Sequence, residues 1–147
     1  MSHFLITGGV ALGGSVWASG TETAKLTASD DAFNDTLGWS VALSGDGSTV
    51  AAGARYAAIG GKSAQGAAYV FTMSGPGWAN MTQTAKLAAS DGAAGDFFGY
   101  SVAISGDTVV VGAYEEESNA TGVNGNQTDN SATGSGAARG NPWSAAE

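Results

Sequence analysis

The side chains able to do chemistry in this 147-residue chain are few, and their spacing does not bring them together. The one histidine, His3, stands at the start of the chain, and there is no cysteine. Nucleophilic catalysis needs a base beside the nucleophile, so neither a Ser–His nor a Cys–His arrangement can be assembled. Gly60-Gly61-Lys62-Ser63 ends like a phosphate-binding loop, but Tyr56 stands where the first glycine of G-x-x-x-x-G-K-[ST] belongs. That stretch also reads as a turn-rich loop with no helix behind it. Gly99-Tyr100-Ser101-Val102-Ala103 is no nucleophile elbow, because its second glycine is Ala103. The sequence assigns no catalytic, cofactor-binding or metal-ligating residue, and a non-enzyme is expected.

The carboxylates form two groups, Asp30, Asp31 and Asp35, then Asp91 and Asp96. In a glycosidase two carboxyls flank a bond across a cleft. Here the groups occupy the same place in two copies of a repeat, which points to turns: an aspartate caps nearby backbone N–H groups. Glu115-Glu116-Glu117 opens a long polar loop and reads as a solvated face. In that loop Asn119, Asn124, Asn126, Asp129 and Asn130 offer oxygens to a cation or to glycan hydroxyls; the alternative is a plain exposed loop. The glycosylation sequons at Asn34, Asn80, Asn119 and Asn126 follow from the Asn and Thr content and matter only in a eukaryotic secretory setting.

Composition narrows the partners. Thirteen acidic residues against five basic ones give a net charge of −8, a field that repels nucleic-acid phosphates. Lys25, Arg55, Lys62, Lys86 and Arg139 are scattered and form no basic patch in the sequence. No apolar run reaches the ~18 residues of a membrane helix. The first 16 residues read either as a strand or as a signal segment without its basic start. The 24 glycines, with only two prolines, suit many short strands joined by tight turns.

Those strands come in a repeat. TAKLTASD (23–30) returns as TAKLAASD (84–91), an offset of 61, and Trp17 matches Trp78. LGWSVALSGD (37–46) returns as FGYSVAISGD (98–107); after two extra residues, TVAAGA (49–54) matches TVVVGA (108–113), and GAA (66–68) matches GAA (136–138). Self-similarity over about 60 residues signals a repeat architecture. SVALS and SVAIS alternate with the period of a strand, placing Val41 and Leu43, or Val102 and Ile104, on one face. SGDGS and SGD are hairpin turns. TVVVGA is apolar at consecutive positions, as in a strand covered on both faces. AAYVFT (67–72) is a third strand, and a fourth runs near Thr82 to Ala88. The fold class is therefore all-β, built of four-stranded antiparallel units of the propeller-blade kind. Leu37, Trp39, Phe98 and Tyr100 are expected to fill the gaps between blades, with Gly38 and Gly99 admitting close backbone approach.

Phe98-Gly99 followed by Gly112-Ala113-Tyr114 resembles the FG-GAP repeat, the blade unit of integrin alpha-chain propellers. The KLxASD, FFGYSVAISGD, VVVGAY and GAAYVF blocks are similar to those of FG-GAP repeats in large bacterial surface and secreted proteins. The resemblance covers most of Trp17 to Ala138 and implies a non-catalytic β-propeller segment. It also implies an extracellular or cell-surface setting, and interaction or adhesion through an unknown protein or glycan ligand. It leaves open a structural spacer, or a calcium- or glycan-binding accessory module of a secreted enzyme. The pattern departs from the family in three places. Leu37-Gly38 and Gly53-Ala54-Arg55 stand for FG and GAP in the first copy, and Tyr114 replaces the GAP proline in the second. After Ala138 the expected YVF strand is replaced by RGNPWSAAE. The Asp-rich calcium loop of integrin-type repeats has shrunk to Gly45–Thr49 and Gly106–Thr108, and one carboxylate cannot supply the 6–8 oxygens calcium wants. Calcium is therefore not carried over as a cofactor.

Residues 1–37 are expected to end a preceding blade, 38–96 to form a complete blade with its connection, and 97–147 to start a following one. Such an open set of about two blades suits a fragment, with self-association through open blade edges as a possible consequence.

Overall fold

The structure, a computed structural model, describes residues 4–6, 21–120 and 126–142. Every regular element among them is a strand: β1 (Phe4–Ile6), β2 (Ala24–Thr27), β3 (Ser40–Leu43), β4 (Thr49–Ala54), β5 (Ala67–Thr72), β6 (Met81–Thr82), β7 (Ala85–Leu87), β8 (Phe98–Ser105), β9 (Thr108–Ala113) and β10 (Ala137–Pro142). They form three sheets ordered β1-β2-β6, β3-β4-β5-β7 and β10-β9-β8. The middle sheet is a complete four-stranded antiparallel blade.

Its two faces follow from the pleat. Val50, Ala52, Ala54, Tyr69 and Phe71 point one way and pack with Leu26 and Leu37 in a first core cluster. Ala51, Ala68 and Val70 point the other way and pack with Phe98, Val109, Val111 and Ala113 in a second. β4 and β5 are thus buried on both sides, which is why their sequences are apolar without alternation. Small residues line the second interface, Ala51 and Ala68 at 0% exposure, so neighbouring sheets lie close together.

Four expectations need correction. TVVVGA is covered on one face only: Val109 and Val111 are buried, but Val110 is 39% exposed because no further sheet lies beyond it among the described residues. Leu37 and Phe98 fill inter-blade gaps as expected, each 4% exposed, whereas Trp39 and Tyr100 are 48% and 37% exposed. Each follows a glycine with φ near +90°, which turns the next side chain out onto the rim.

The fourth strand is shorter than expected. Only Ala85–Leu87 joins the middle sheet, while Met81–Thr82 pairs in parallel with β2 of the neighbouring one. Side chains hold it there: Asn80 Oδ1 accepts the Lys25 N–H at 2.8 Å, and Gln83 Oε1 accepts that of Ser29 at 2.8 Å. Finally, the backbone from Ala137 to Pro142 still pairs with β9, in register from Ala137↔Ala113 to Pro142↔Thr108, although the YVF side chains are missing. Ladder bonds come from the main chain, so a strand survives the loss of its apolar pattern. Trp17 and most of the 1–16 segment lie outside the described residues.

Candidate functional site

The repeat's most invariant residues build the joint between blades. Gly99, at φ +91°, brings its carbonyl oxygen to 1.9 Å from where a Cβ on Gly53 would stand. A Cβ on Gly66 would meet the Phe98 carbonyl oxygen at 2.0 Å, and one on Gly99 would meet that of Ala67 at 2.2 Å. Phe98 N–H donates to Gln65 O at 2.9 Å, and Ser40 Oγ donates to Gly99 O at 2.9 Å. Gly66 and Phe98 form an isolated parallel bridge. The Phe-Gly that opens one blade is therefore seated on the two glycines of the blade before it.

A second repeated contact reaches the aspartates. Tyr69 on β5 donates its hydroxyl to Asp30 Oδ1 at 3.1 Å. Arg139, the counterpart of Tyr69 on β10, reaches Asp91, the counterpart of Asp30, at 2.7 Å. The third strand of each blade thus clasps the acidic turn of the preceding one. Burial, then the charge of Asp30, push the Tyr69 phenol above its ordinary range, so it remains a donor. Burial acts to raise the Asp30 carboxyl, but the bonds from Lys86 and Tyr69 outweigh it and leave it lowered.

Asp35 and Asp96 make the turns that the repeat predicts. Asp35 Oδ2 accepts the Ala32 N–H at 3.1 Å, and Asp96 Oδ2 accepts that of Ala93 at 2.7 Å. Burial, together with Glu116, Asp91 and Glu117, raises the Asp96 carboxyl. In the hairpin turn, Asp46 accepts from Ser44 Oγ at 2.5 Å and from Ser48 N and Oγ, which brings its carboxyl down to about 2. Its lone pairs close a turn.

The expectation of a solvated glutamate run fails at its centre. Glu116 is 4% exposed, accepts from Ser118 Oγ at 3.0 Å and lies 3.9 Å from Arg139. It is buried because Gly136 N–H and Ser135 Oγ bond its carbonyl, pinning the loop's return strand over it. In the polar loop, Asn126 and Asp129 accept from Thr128 and Ser131 and so close local turns; Asn124 lies outside the described residues. Lys62, in the phosphate-loop look-alike, donates to Gly92 O at 2.6 Å and fastens the β4–β5 loop to the next acidic turn. No metal-binding group of acidic or histidine side chains occurs among the described residues.

What the residues do assemble is a rim ribbon that sequence reading missed. The Arg55 guanidinium lies 3.5 Å from the Trp39 ring centroid and 4.4 Å from that of Tyr56. Trp39 is 6.1 Å from Tyr100, and Tyr100 stacks on Tyr114 at 4.9 Å with 23° between planes. Trp39 and Tyr100 are repeat counterparts, as are Arg55 and Tyr114. Each blade therefore places one flat pair at the same rim position, and the two pairs join. Arg55 donates to Tyr56 Oη at 3.2 Å, and its buried Nε has no partner. The signal in the sequence is the residue after FG taken together with the one after GA, two positions at or beside the ends of paired strands whose proximity only the β3–β4 and β8–β9 registers reveal.

The blade order, the FG seat and the GA strand all repeat, and the family comparison agrees with them. The FG-GAP repeat model matches residues 21–71 and 81–138. The chain belongs to the FG-GAP repeat family. No curated protein matches the chain significantly. The FG-GAP segment is thus a propeller-type repeat module, and its signature dipeptides are accounted for by the inter-blade joint.

Proposed function

We propose that this FG-GAP segment is a non-catalytic recognition module of an extracellular or cell-surface protein, binding a protein or glycan ligand through its rim. The observation that carries this reading is the ribbon Arg55–Trp39–Tyr100–Tyr114. Trp39 stays 48% exposed even with the next blade seated beside it. Flat rings with one open face offer large contact area at low entropic cost, and they suit both peptide side chains and the C–H faces of sugars. The Arg55 guanidinium, stacked over Trp39, adds a positive charge beside the exposed rings. Repeats of this family occur in extracellular and surface proteins, and no described helix is long and apolar enough to cross a membrane.

The test is an array of matrix glycoproteins and glycans probed with the labelled chain. Replacing Trp39 and Tyr114 by alanine together is expected to lower the signal on bound features about tenfold, the equivalent of ~1.4 kcal/mol. Equal signal from both proteins on every feature overturns the reading.

A further inference from the structure

A buried glutamate stands where the repeat needs none. Glu116 follows Gly112-Ala113 at the distance at which Ala57 follows Gly53-Ala54. The two carbonyls do the same work: Gly136 N–H donates to Glu116 O at 2.8 Å, and Gly66 N–H donates to Ala57 O at 3.0 Å. Both residues are buried, Glu116 at 4% exposure and Ala57 at 1%. An alanine therefore suffices at this place, and the carboxyl of Glu116 adds nothing that the first copy requires. Burying it costs free energy unless it is well paired.

The pairing is thin. Arg139 Nη2 lies 2.7 Å from Asp91 Oδ2 but 3.9 Å from Glu116 Oε1, and its Nη1 donates to Gln127 instead. Asp96, 4% exposed, stands on the acidic turn that meets the loop's stem, where Glu115 N–H donates to Asp96 O at 3.3 Å. The charged groups around that turn come from every element packed on it. Asp91 lies on the turn itself, Glu116 and Glu117 on the stem, Arg139 on β10, and Lys62 on the β4–β5 loop with its ammonium on Gly92 O. Three carboxylates, those of Asp91, Asp96 and Glu116, thus gather with little water around one guanidinium, and Asp91 Oδ1 is buried without a donor.

We propose that this cluster is an acid-tightened latch on the stem of the polar loop. At neutral pH the carboxylates of Asp96 and Glu116 repel across the joint between turn and stem. A proton taken up by Asp96 removes that repulsion and fastens Glu116–Asn119 and Asp129–Gly136 more firmly to the turn. Burial raises the Asp96 carboxyl, and Glu116, Asp91 and Glu117 raise it further. The gain from protonation is therefore fully present below the unfolded value of 3.8 and is lost as pH rises through the higher folded value. The latch sets how firmly a loop that carries Asn119, Asn126 and Asp129 is held in neutral and in acidic surroundings. It stands apart from the proposed ligand site, because no residue of the aromatic ribbon belongs to it.

The experiment follows amide hydrogen exchange in the whole chain by NMR from pH 7 to about pH 4, each rate corrected for its intrinsic pH dependence. Ala132 and Gly136 donate to Glu117 O and Glu116 O and report on the stem. Their protection is expected to rise roughly threefold or more as pH falls. Ser44, which donates to Thr49 O in the Asp46 hairpin, is expected to gain nothing over this range, since Asp46 stays ionised down to about 2. Glu116→Ala copies the first blade and Asp96→Asn keeps an oxygen for the Ala93 N–H; each is expected to abolish the rise. At pH 7 itself, Asp96→Asn is expected to protect both amides better than wild type. A flat or falling profile in the wild type overturns the proposal, as does a rise that survives in either variant. An equal gain at Ser44 also overturns it, because the effect would then belong to the whole fold.

Discussion

The carbonyl oxygen of Gly99 lies 1.9 Å from the position a Cβ on Gly53 would take. Two main chains from successive blades touch at this point, and the glycines of the FG and GA dipeptides exist to let them. Gly53→Ala must push one blade off the other or bend a buried strand. The expected loss is roughly 1–3 kcal/mol, the usual cost of overfilling a packed core. Gly112→Ala, at the equivalent position with no neighbour seated on it among the described residues, meets a serine hydroxyl and should cost far less. Urea unfolding of the two variants checks the difference; equal losses would show that the strand itself, and not the joint, demands glycine.

The clasp between third strand and acidic turn should be asymmetric. Tyr69→Phe removes one hydroxyl from Asp30, which is also held by Lys86, and about 1 kcal/mol is expected. Arg139→Leu leaves two carboxylates facing each other with little water, Asp91 at 12% and Glu116 at 6% side-chain exposure. Breaking a buried pair by removing one partner costs ~3–5 kcal/mol, but Arg139 is itself 24% exposed, so about half that is expected after solvent screening. Adding Asp91→Asn to Arg139→Leu should recover part of the loss. Thermal unfolding of the two single variants and the double variant measures it.

Two aspartates predict opposite pH behaviour. Asp46 is depressed to about 2 by bonds from Ser44 and Ser48. Its contribution is fully present above the unfolded value of 3.8 and is lost as pH falls toward 2. Asp96 is raised by burial and by Glu116, Asp91 and Glu117. Its ionised form therefore costs stability above its folded value, and protonation recovers that cost as pH falls. Asp96→Asn, which keeps an oxygen for the Ala93 N–H, should be neutral or stabilising at pH 7 and lose that advantage in acid. Asp46→Ala should destabilise at pH 7 and match the wild type near pH 2. Stability curves from pH 2 to 7 decide both, and a stabilising Asp46→Ala at neutral pH would contradict the turn's role.

The difference between what was legible in the sequence and what was not follows from range. β3 to β5 and the hairpin at Asp46 could be read directly, because alternation, turn residues and the repeat are local signals. The turn role of Asp35 and Asp96 was legible because repetition in two copies marks structure. The parallel pairing of Met81–Thr82 with β2 was not, since it depends on Asn80 and Gln83 reaching residues more than fifty positions away. Nor was the burial of Glu116, which a run of three acids disguises and only the return of Ser135 and Gly136 explains. The rim ribbon was hidden by the same logic that hid Arg55 among scattered cations: its members come from four strands or strand ends and meet only in register.

Arg55 is the residue on which the ribbon's rigidity turns. A guanidinium stacked 3.5 Å from an exposed indole holds the ring flat while its other neighbours, Tyr56 and Tyr100, flank the same charge at 4.4 and 5.7 Å. Cation–π contacts at exposed sites are worth ~0.5–1 kcal/mol and more when partly desolvated. Arg55→Ala should cost about 1 kcal/mol in stability and free Trp39 to move, read as a loss of fluorescence anisotropy in a chain whose other tryptophans are phenylalanine. Arg55→Lys keeps the charge but not the planar face, and should restore stability in part without restoring the ordered indole. Arg55→Tyr recreates the pair that Tyr100 and Tyr114 already form and should restore both. If Arg55→Tyr leaves Trp39 as mobile as Arg55→Ala does, the two pairs are not equivalent, and the ribbon is an accident of one blade instead of a repeated feature.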